Sequence, residues 1–461
     1  MEWEEGDGSA ELIRRSAVER GASQGSRRYN SKSQAPIGWL MSHIDLPLPN
    51  PPDTKSPRIP MAAAPPPPVR VPFVRPALPP YERMQPIYQE ILGSGRLTKG
   101  PYLQRFEEAV ARRLGVRHAV AVSSCTTGLM LVYQALEFSA GRQRAVGEET
   151  VGEVIIPSFT FLAGPAALVW NGLRPVFVEV DAASTLVTPR MVADAITPRT
   201  VAISACHNFG NPCDVVGLRA IADAHGIPLV IDAAHGFGAS QGGVPVGGGA
   251  AAQVFSLSPT KLLVAGEGGV VATDSDAVAH LVRLGREYGN DGSYDALFAG
   301  VNGRMPEMCA ATALVGLELL DGVAAHRRWI AAEYAQRLSR LAGIGFVQQA
   351  SGAQSSHKDF SITIDPLGFG LSRDRVGHML ALRGIETRAY YSPPCHRQKA
   401  FARFHEGRPP LPVTDLLSDH SLSLPIGPQV DGAVIEEVCD AIIESGRHGS
   451  RGPAEGRGLR G

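Results

Sequence analysis

Between residues 100 and 275 the chain alternates two patterns. Short unbroken apolar runs recur: AVAVSS (119–124), VIIP (154–157), PVFVEV (175–180), VAISACH (201–207), PLVIDAA (228–234), QVFSLS (253–258) and GGVVATD (268–274). They are too short for helices and too continuous for strands with one face in water. Between them lie stretches whose apolar residues return every three or four positions, as in LQRFEEAVARRLG (103–115) and TTGLMLVYQALEF (126–138). Strands alternating with helices predict a buried, largely parallel sheet and place the chain in the α/β class. A longer periodic stretch, MCAATALVGLELLDGVAAHRRWIAAEYAQRL (308–338), predicts one long helix.

The ends break the pattern. Of the 36 prolines, 15 lie in the first 80 residues, with PPPP at 65–68. So little apolar periodicity predicts an extended or disordered arm over 1–70, and Met61 offers an alternative start. GRHGSRGPAEGRGLRG, over 446–461, reads as a second low-complexity tail. With 461 residues and 44% hydrophobic residues, the remainder suffices for two domains.

Charge and cysteine usage narrow the class. A net charge of −1 supplies no field for nucleic acid or a membrane surface. No run of about 18 apolar residues predicts a transmembrane helix, and MEWEE is not the start of a secretory signal. Six scattered cysteines without CxxC spacing predict a reducing, cytoplasmic setting and no metal site.

Three polar features fall at the ends of predicted strands, where α/β sheets gather ligands. SSCTTGL (123–129) leads a strand into a helix; it reads as an N-cap or as a cradle for a phosphate. Asp232 ends PLVID, where a carboxylate needs a cap, a salt bridge or a cationic ring nitrogen. Lys261, in FSLSPTKLLVAGEGG, is one of only six lysines among 44 Lys and Arg residues. It reads as a snorkelling side chain or as an amine chosen because arginine cannot form an imine. Cradle, aspartate and lysine in this order are what pyridoxal 5'-phosphate requires. The bland readings of three more residues are a turn for GEGG (266–269), a strand terminator for His207 and a small filler for Cys125.

From about Arg75 to Glu444 the chain resembles the DegT/DnrJ/EryC1/StrS family of pyridoxal-phosphate aminotransferases. The motifs that carry the likeness occur in order: SGRLTKGPYLQRFEEAVARRLGVRHAVAVSSCTTGL, PSFTFLA, VIDAAHGFGA, FSLSPTK, GEGG, GVNGRM and YYSPPCHRQ. The resemblance implies the type I (aspartate aminotransferase-like) fold, with a large cofactor domain over 75–320 and a smaller α+β domain over 321–445. It implies that Lys261 carries the cofactor as a Schiff base, that Asp232 faces the pyridine nitrogen and that His235 lies near the ring hydroxyl. Phe161 would stack on the ring, while Thr126, Thr127 and Ser256 hold the phosphate. Asn302 would reach the phosphate of a second subunit in a homodimer, and Arg388, Tyr391 and His396 would line the substrate side. Two departures stand out: Cys125 replaces a glycine of the usual Gly-Thr-Ala-Ala, and Gly303 stands where an aromatic is common.

The implied reaction moves an amino group from glutamate or glutamine to a keto sugar. The acceptor is expected to be nucleotide-linked, because Arg388, Arg397, Lys399 and Arg403 cluster after the tyrosines; a solvated basic face or a free cyclitol acceptor is the alternative. Family dehydratases lack the lysine that this chain keeps. A regulator would be expected to carry a DNA-binding domain, and the first 70 residues have no helix-turn-helix pattern. A proline-rich partner arm stays open.

Overall fold

The computed structural model describes residues 68–141 and 152–449. The chain forms two compact units, Met1–Ala64 and Pro65–Gly461, and the first lies outside the described residues. The arm expected over 1–70 therefore falls almost wholly outside them. Arg70 and Val71 are already engaged, donating to the Gly384 carbonyl at 2.9 and 3.0 Å. Of the tail expected from 446, residues 446–449 belong to the last helix, and the rest lies outside the described residues.

Seven of the apolar runs are strands of one sheet: β1 (His118–Val122), β2 (Glu153–Pro157), β3 (Arg174–Val178), β4 (Thr200–Cys206), β5 (Leu229–Asp232), β8 (Ala252–Ser256) and β9 (Gly269–Thr273). Between β5 and β8 the short strands β6 (Ser240–Gln241) and β7 (Val244–Pro245) form a hairpin that pairs with β11 (Ala353–Gln354). The seven-stranded order is β1-β9-β8-β5-β4-β2-β3. All strands point the same way except β9, which is antiparallel to both neighbours. The carboxyl ends of β1, β2, β4, β5 and β8 therefore meet at one edge.

The runs are unbroken because both faces of the sheet are covered. In β1, Ala119 and Ala121 face one core while Val120 and Val122 face the other. On the first side pack α1 (Tyr81–Ser94), α2 (Pro101–Leu114) and the start of a long helix. On the second pack α3 (Cys125–Ser139), α4 (Ala163–Trp170) and α7 (Asp276–Gly285). Helices α5 (Pro189–Ala195) and α6 (Val215–Ala224) complete the first side.

The long helix, α8 (Glu307–Leu338), joins the sheet to a third core. By length and composition it could cross a membrane. Here its N-terminal alanines and leucines pack on the sheet, and Ile330, Tyr334 and Leu338 enter the third core. That core lies on a smaller antiparallel sheet of β10 (Ile344–Phe346), β12 (Phe360–Ile364) and β13 (Ser421–Leu424). It includes residues of α9 (Arg373–Leu382) and α11 (Gly432–Gly449), while α10 (Pro412–His420) leads directly into β13.

One buried carboxylate ties α8 to the N-terminal block. Helix α2 starts at Gly100-Pro101 with no side-chain cap of its own. Glu307, fully buried, accepts from the N–H groups of Gly100, Tyr102 and Leu103 at 2.9 Å each. A negative charge is favoured at that end of the helix dipole. Gly100 must be glycine, because a Cβ would lie 2.7 Å from the Glu307 carboxyl. Glu307→Ala leaves three buried amides without an acceptor and should cost about 3 kcal/mol or more. Urea unfolding monitored by circular dichroism measures this; a loss below about 0.5 kcal/mol would contradict the capping role.

Candidate active site

The shared carboxyl edge brings most of the singled-out residues together. Ser124 caps α3, accepting from the Thr127 N–H at 3.1 Å. Its hydroxyl also lies 2.9 Å from the Thr127 hydroxyl. The N-cap reading holds for Ser124, and the cap decides which amides stay open. Thr127's amide is occupied by Ser124, so the open amides at the positive end of the helix are those of Cys125 and Thr126. Ser256 ends β8 beside them; it is buried, and its hydroxyl is 3.4 Å from that of Ser258.

Strand β9 runs beneath this cradle. A Cβ on Gly269 would lie 2.6 Å from the Cys125 nitrogen, so the last glycine of GEGG permits close backbone approach rather than a turn. Gly303, one of the two departures from the family pattern, lies against Thr127. The Gly303 carbonyl accepts from the Ser123 N–H at 2.7 Å, and a Cβ on Gly303 would lie 3.1 Å from the Thr127 methyl. The larger residue at 127 occupies room that the smaller one at 303 leaves.

Asp232 ends β5 and is buried. Its Oδ1 accepts from the Ala234 N–H at 3.0 Å and lies 3.9 Å from the Cys125 sulfur. No hydrogen bond reaches Oδ2 among the described residues. Burial raises the carboxyl's pKa, against the Ala234 amide and the Lys261 ammonium, which lower it. Lys261 is half-buried, its amide donating to the Ser258 carbonyl at 3.0 Å. Its charge also acts on Cys125, Cys206 and His235. His235 is buried with Nδ1 unpartnered. Burial, with the charges of Lys261, Lys358 and Arg327 behind it, holds its imidazole well below the usual histidine range and therefore neutral.

The remaining positions divide. Phe161, half exposed, follows β2 on the open side of the edge. Asn302 is exposed, in a segment bridged to Glu287. Cys125 and His207 are structural: burial pushes the Cys125 thiol up and holds His207 at about 4, with His207 Nδ1 accepting from the Cys213 amide at 3.0 Å.

Three expected substrate contacts are engaged elsewhere. Arg388 pairs with Glu386 at 2.5 Å and lies over the Phe73 ring. Tyr391 is a buried wall, stacked on Phe209 with ring centroids 5.6 Å apart. His396 Nδ1 lies 2.7 Å from the Ser158 hydroxyl and its Nε2 3.2 Å from Asp415, which also holds Arg397. These residues brace the wall through contacts made by distant segments, which their shared sequence neighbourhood could not reveal.

Sequence reasoning missed a charged group behind the wall. Lys358 and Asp359, both buried, form an ion pair at 2.7 Å. Arg327 of α8 is fully buried and donates to the carbonyls of His357 and Lys358 at 3.3 and 2.6 Å. A signal existed, because Arg327 sits on the apolar stripe 320-324-327-331-334-338 of α8. A cavity of about 260 Å³ adjoins the group, lined by Phe209, Arg328, His357, Asp359 and Phe360 among others; none of its lining residues is one that the sequence singled out for the cofactor. Among the described residues no cluster of His, Cys, Asp or Glu could hold a metal ion.

Comparison with known proteins gives concordant results. The profile described as the DegT/DnrJ/EryC1/StrS aminotransferase family matches residues 81–443. The erythromycin biosynthesis sensory transduction protein EryC1 of Saccharopolyspora erythraea is 36% identical over 365 residues, 78% of this chain and 94% of its own. The dTDP-3-amino-3,4,6-trideoxy-alpha-D-glucose transaminase of Streptomyces venezuelae is 35% identical over 355 residues, 77% of this chain and 89% of its own. The crystal structure of DesI in the presence of its TDP-sugar product superposes with a TM-score of 0.75 at 35% identity, covering 83% of this chain and 94% of DesI.

Proposed function

The chain belongs to the DegT/DnrJ/EryC1/StrS aminotransferase family, and on that premise we propose that it moves an amino group from glutamate or glutamine to a nucleotide-linked keto sugar. It is a pyridoxal-phosphate-dependent aminotransferase of amino-sugar biosynthesis. The observation that carries the reading is the shared carboxyl edge, where β5 ends at Asp232 and β8 ends at Ser256, five residues before Lys261, beside the open N-terminus of α3.

The residues at the edge fit the cofactor. The amides of Cys125 and Thr126, with the Ser256 hydroxyl, offer donors to its phosphate. The free Asp232 Oδ2 suits a protonated ring nitrogen. Neutral His235 would face the ring hydroxyl and Phe161 would offer an aromatic face. When bound, the cofactor supplies an aldehyde that accepts and returns the amino group, and a ring that holds the electrons released at the α-carbon. This chain's part is proton management. Lys261 Nζ takes the α-proton of the donor and returns a proton at the carbon to be aminated. Asp232 keeps the ring nitrogen protonated, which its raised pKa does not prevent while a cation stands opposite. Donor and acceptor use the site in turn, so one lysine serves both halves.

The acceptor assignment draws on the relatives, whose names carry dTDP- and TDP-linked sugars. With Arg388 and Arg397 held by acids, the cations left for a diphosphate on this segment are exposed Lys399 and Arg403. In our reading the enzyme is a cytoplasmic homodimer of two-domain subunits, split near 320, in which exposed Asn302 reaches the second subunit's phosphate site. The six free cysteines suit that compartment.

Two outcomes follow. In a panel of keto acceptors, a nucleoside diphosphate should compete with the acceptor. Lys399→Ala with Arg403→Ala should weaken that inhibition roughly tenfold, since exposed charge contacts are worth about 0.5–1 kcal/mol each. No inhibition, with brisk turnover of an unphosphorylated inosose, would favour the cyclitol reading instead. For the dimer, mixing inactive Lys261→Ala and Asn302→Ala subunits should restore activity through hybrid sites. A monomer in sedimentation with no restored activity would contradict the shared site.

A further inference from the structure

Two of the chain's six lysines lie at this site, and the mechanism uses one. The other, Lys358, is buried, with its ammonium 2.7 Å from Asp359 and 5.5 Å from the centre of the Tyr390 ring. Behind it Arg327 is buried too, and the guanidinium Nε and Nη2 have no partner. Asp359 Oδ2 is likewise unpartnered, as is His235 Nδ1. The group therefore holds two cations against one carboxylate, an excess of one positive charge in a region closed to water. Asp359 is the one acid whose charge acts on either cation among the described residues. Buried charge of this kind is kept where a counter-charge arrives.

The charged group also adjoins the carboxyl edge of the sheet. Ser356, two residues before Lys358, donates its hydroxyl to the His235 carbonyl at 2.7 Å, and the charges of Lys358 and Lys261 both act on His235. The two substrates differ there in one respect. An amino-acid donor always carries a carboxylate on the reacting carbon. A keto sugar carries none beside its carbonyl; its phosphates lie at the far end of the molecule. An excess positive charge beside Lys261 serves the first substrate and not the second.

We propose that Lys358, supported by Arg327, binds the α-carboxylate of the amino donor. This rests on the aminotransferase reading and adds the donor subsite to it. Asp359 then has a defined part. It fixes the ammonium by one of its three donor positions and halves the charge left exposed when the neutral sugar ring replaces the donor.

The two half-reactions test the assignment separately. The donor half needs no sugar: cofactor-loaded enzyme is mixed with glutamate or glutamine, and loss of the visible band is followed. The acceptor half starts from pyridoxamine-phosphate-loaded enzyme. Lys358→Gln should raise the donor concentration for half-maximal rate at least tenfold, while the acceptor half changes less than threefold. Lys358→Arg, which keeps the charge, should recover part of the loss. Calorimetric titration of loaded enzyme with maleate, a dicarboxylate without an amine to transfer, should show the same loss of affinity in Lys358→Gln. Unchanged donor saturation, or an equal fall in both halves as a mere packing pair would give, overturns the proposal. Failure of the keto-sugar reading would look different: the wild-type donor half would run normally and no keto sugar would be consumed.

Discussion

A carboxylate buried at the end of a β-strand needs a positive charge near it, and the field of Lys261 acts on Asp232 in that sense. In a site of low polarity an unpaired carboxylate costs several kcal/mol, and burial does raise the Asp232 pKa. One backbone amide and the Lys261 ammonium oppose the rise. The sheet topology makes this possible, since only parallel strands bring β1, β5 and β8 to end at one edge. Strand β9, the antiparallel exception, fits beneath the cradle because Gly269 has no side chain.

A second layer of charge sets the character of the first. Lys358 and Arg327 add to the positive field that keeps His235 neutral. A neutral imidazole can donate or accept one hydrogen bond without adding a charge to the ring it faces. The aromatic wall of Phe159, Phe209 and Tyr391 stands beside this group, with Tyr391 sensing both Asp232 and Asp359. Long helix α8 carries Arg327 to the charged group beside the smaller core, while its first residue, Glu307, clamps α2 on the first side of the large sheet. One helix thus fixes the N-terminal block, the sheet and the charged layer relative to one another.

Much of this was legible in the sequence. Unbroken apolar runs marked β1 to β5, β8 and β9 within a residue or two, because strands buried on both faces are mostly apolar, with few exceptions such as Ser204 and Gln253. Lys261 stood out through scarcity, and Asp232 through a charge at the end of an apolar run. What depended on distant segments was not legible. The resemblance put Arg388, Tyr391 and His396 on the substrate side, and Phe73, Phe209 and Ser158, all far off in sequence, lie against them. Gly303 stood out alone, and its closeness to the Thr127 methyl came only with the fold. Arg327 could have been flagged as an arginine on an apolar stripe. Lys358 could not, since its burial follows from packing between the small sheet and α8.

The account stands on Lys261 as both the amine at the reacting carbon and the counter-charge to Asp232. The most direct measurement is the absorption spectrum and turnover of Lys261→Ala reconstituted with pyridoxal phosphate. The account predicts loss of the visible band given by lysine-bound cofactor and a fall in transamination of about 10³ or more, with unchanged circular dichroism. A variant that kept the band and turned over normally would contradict it.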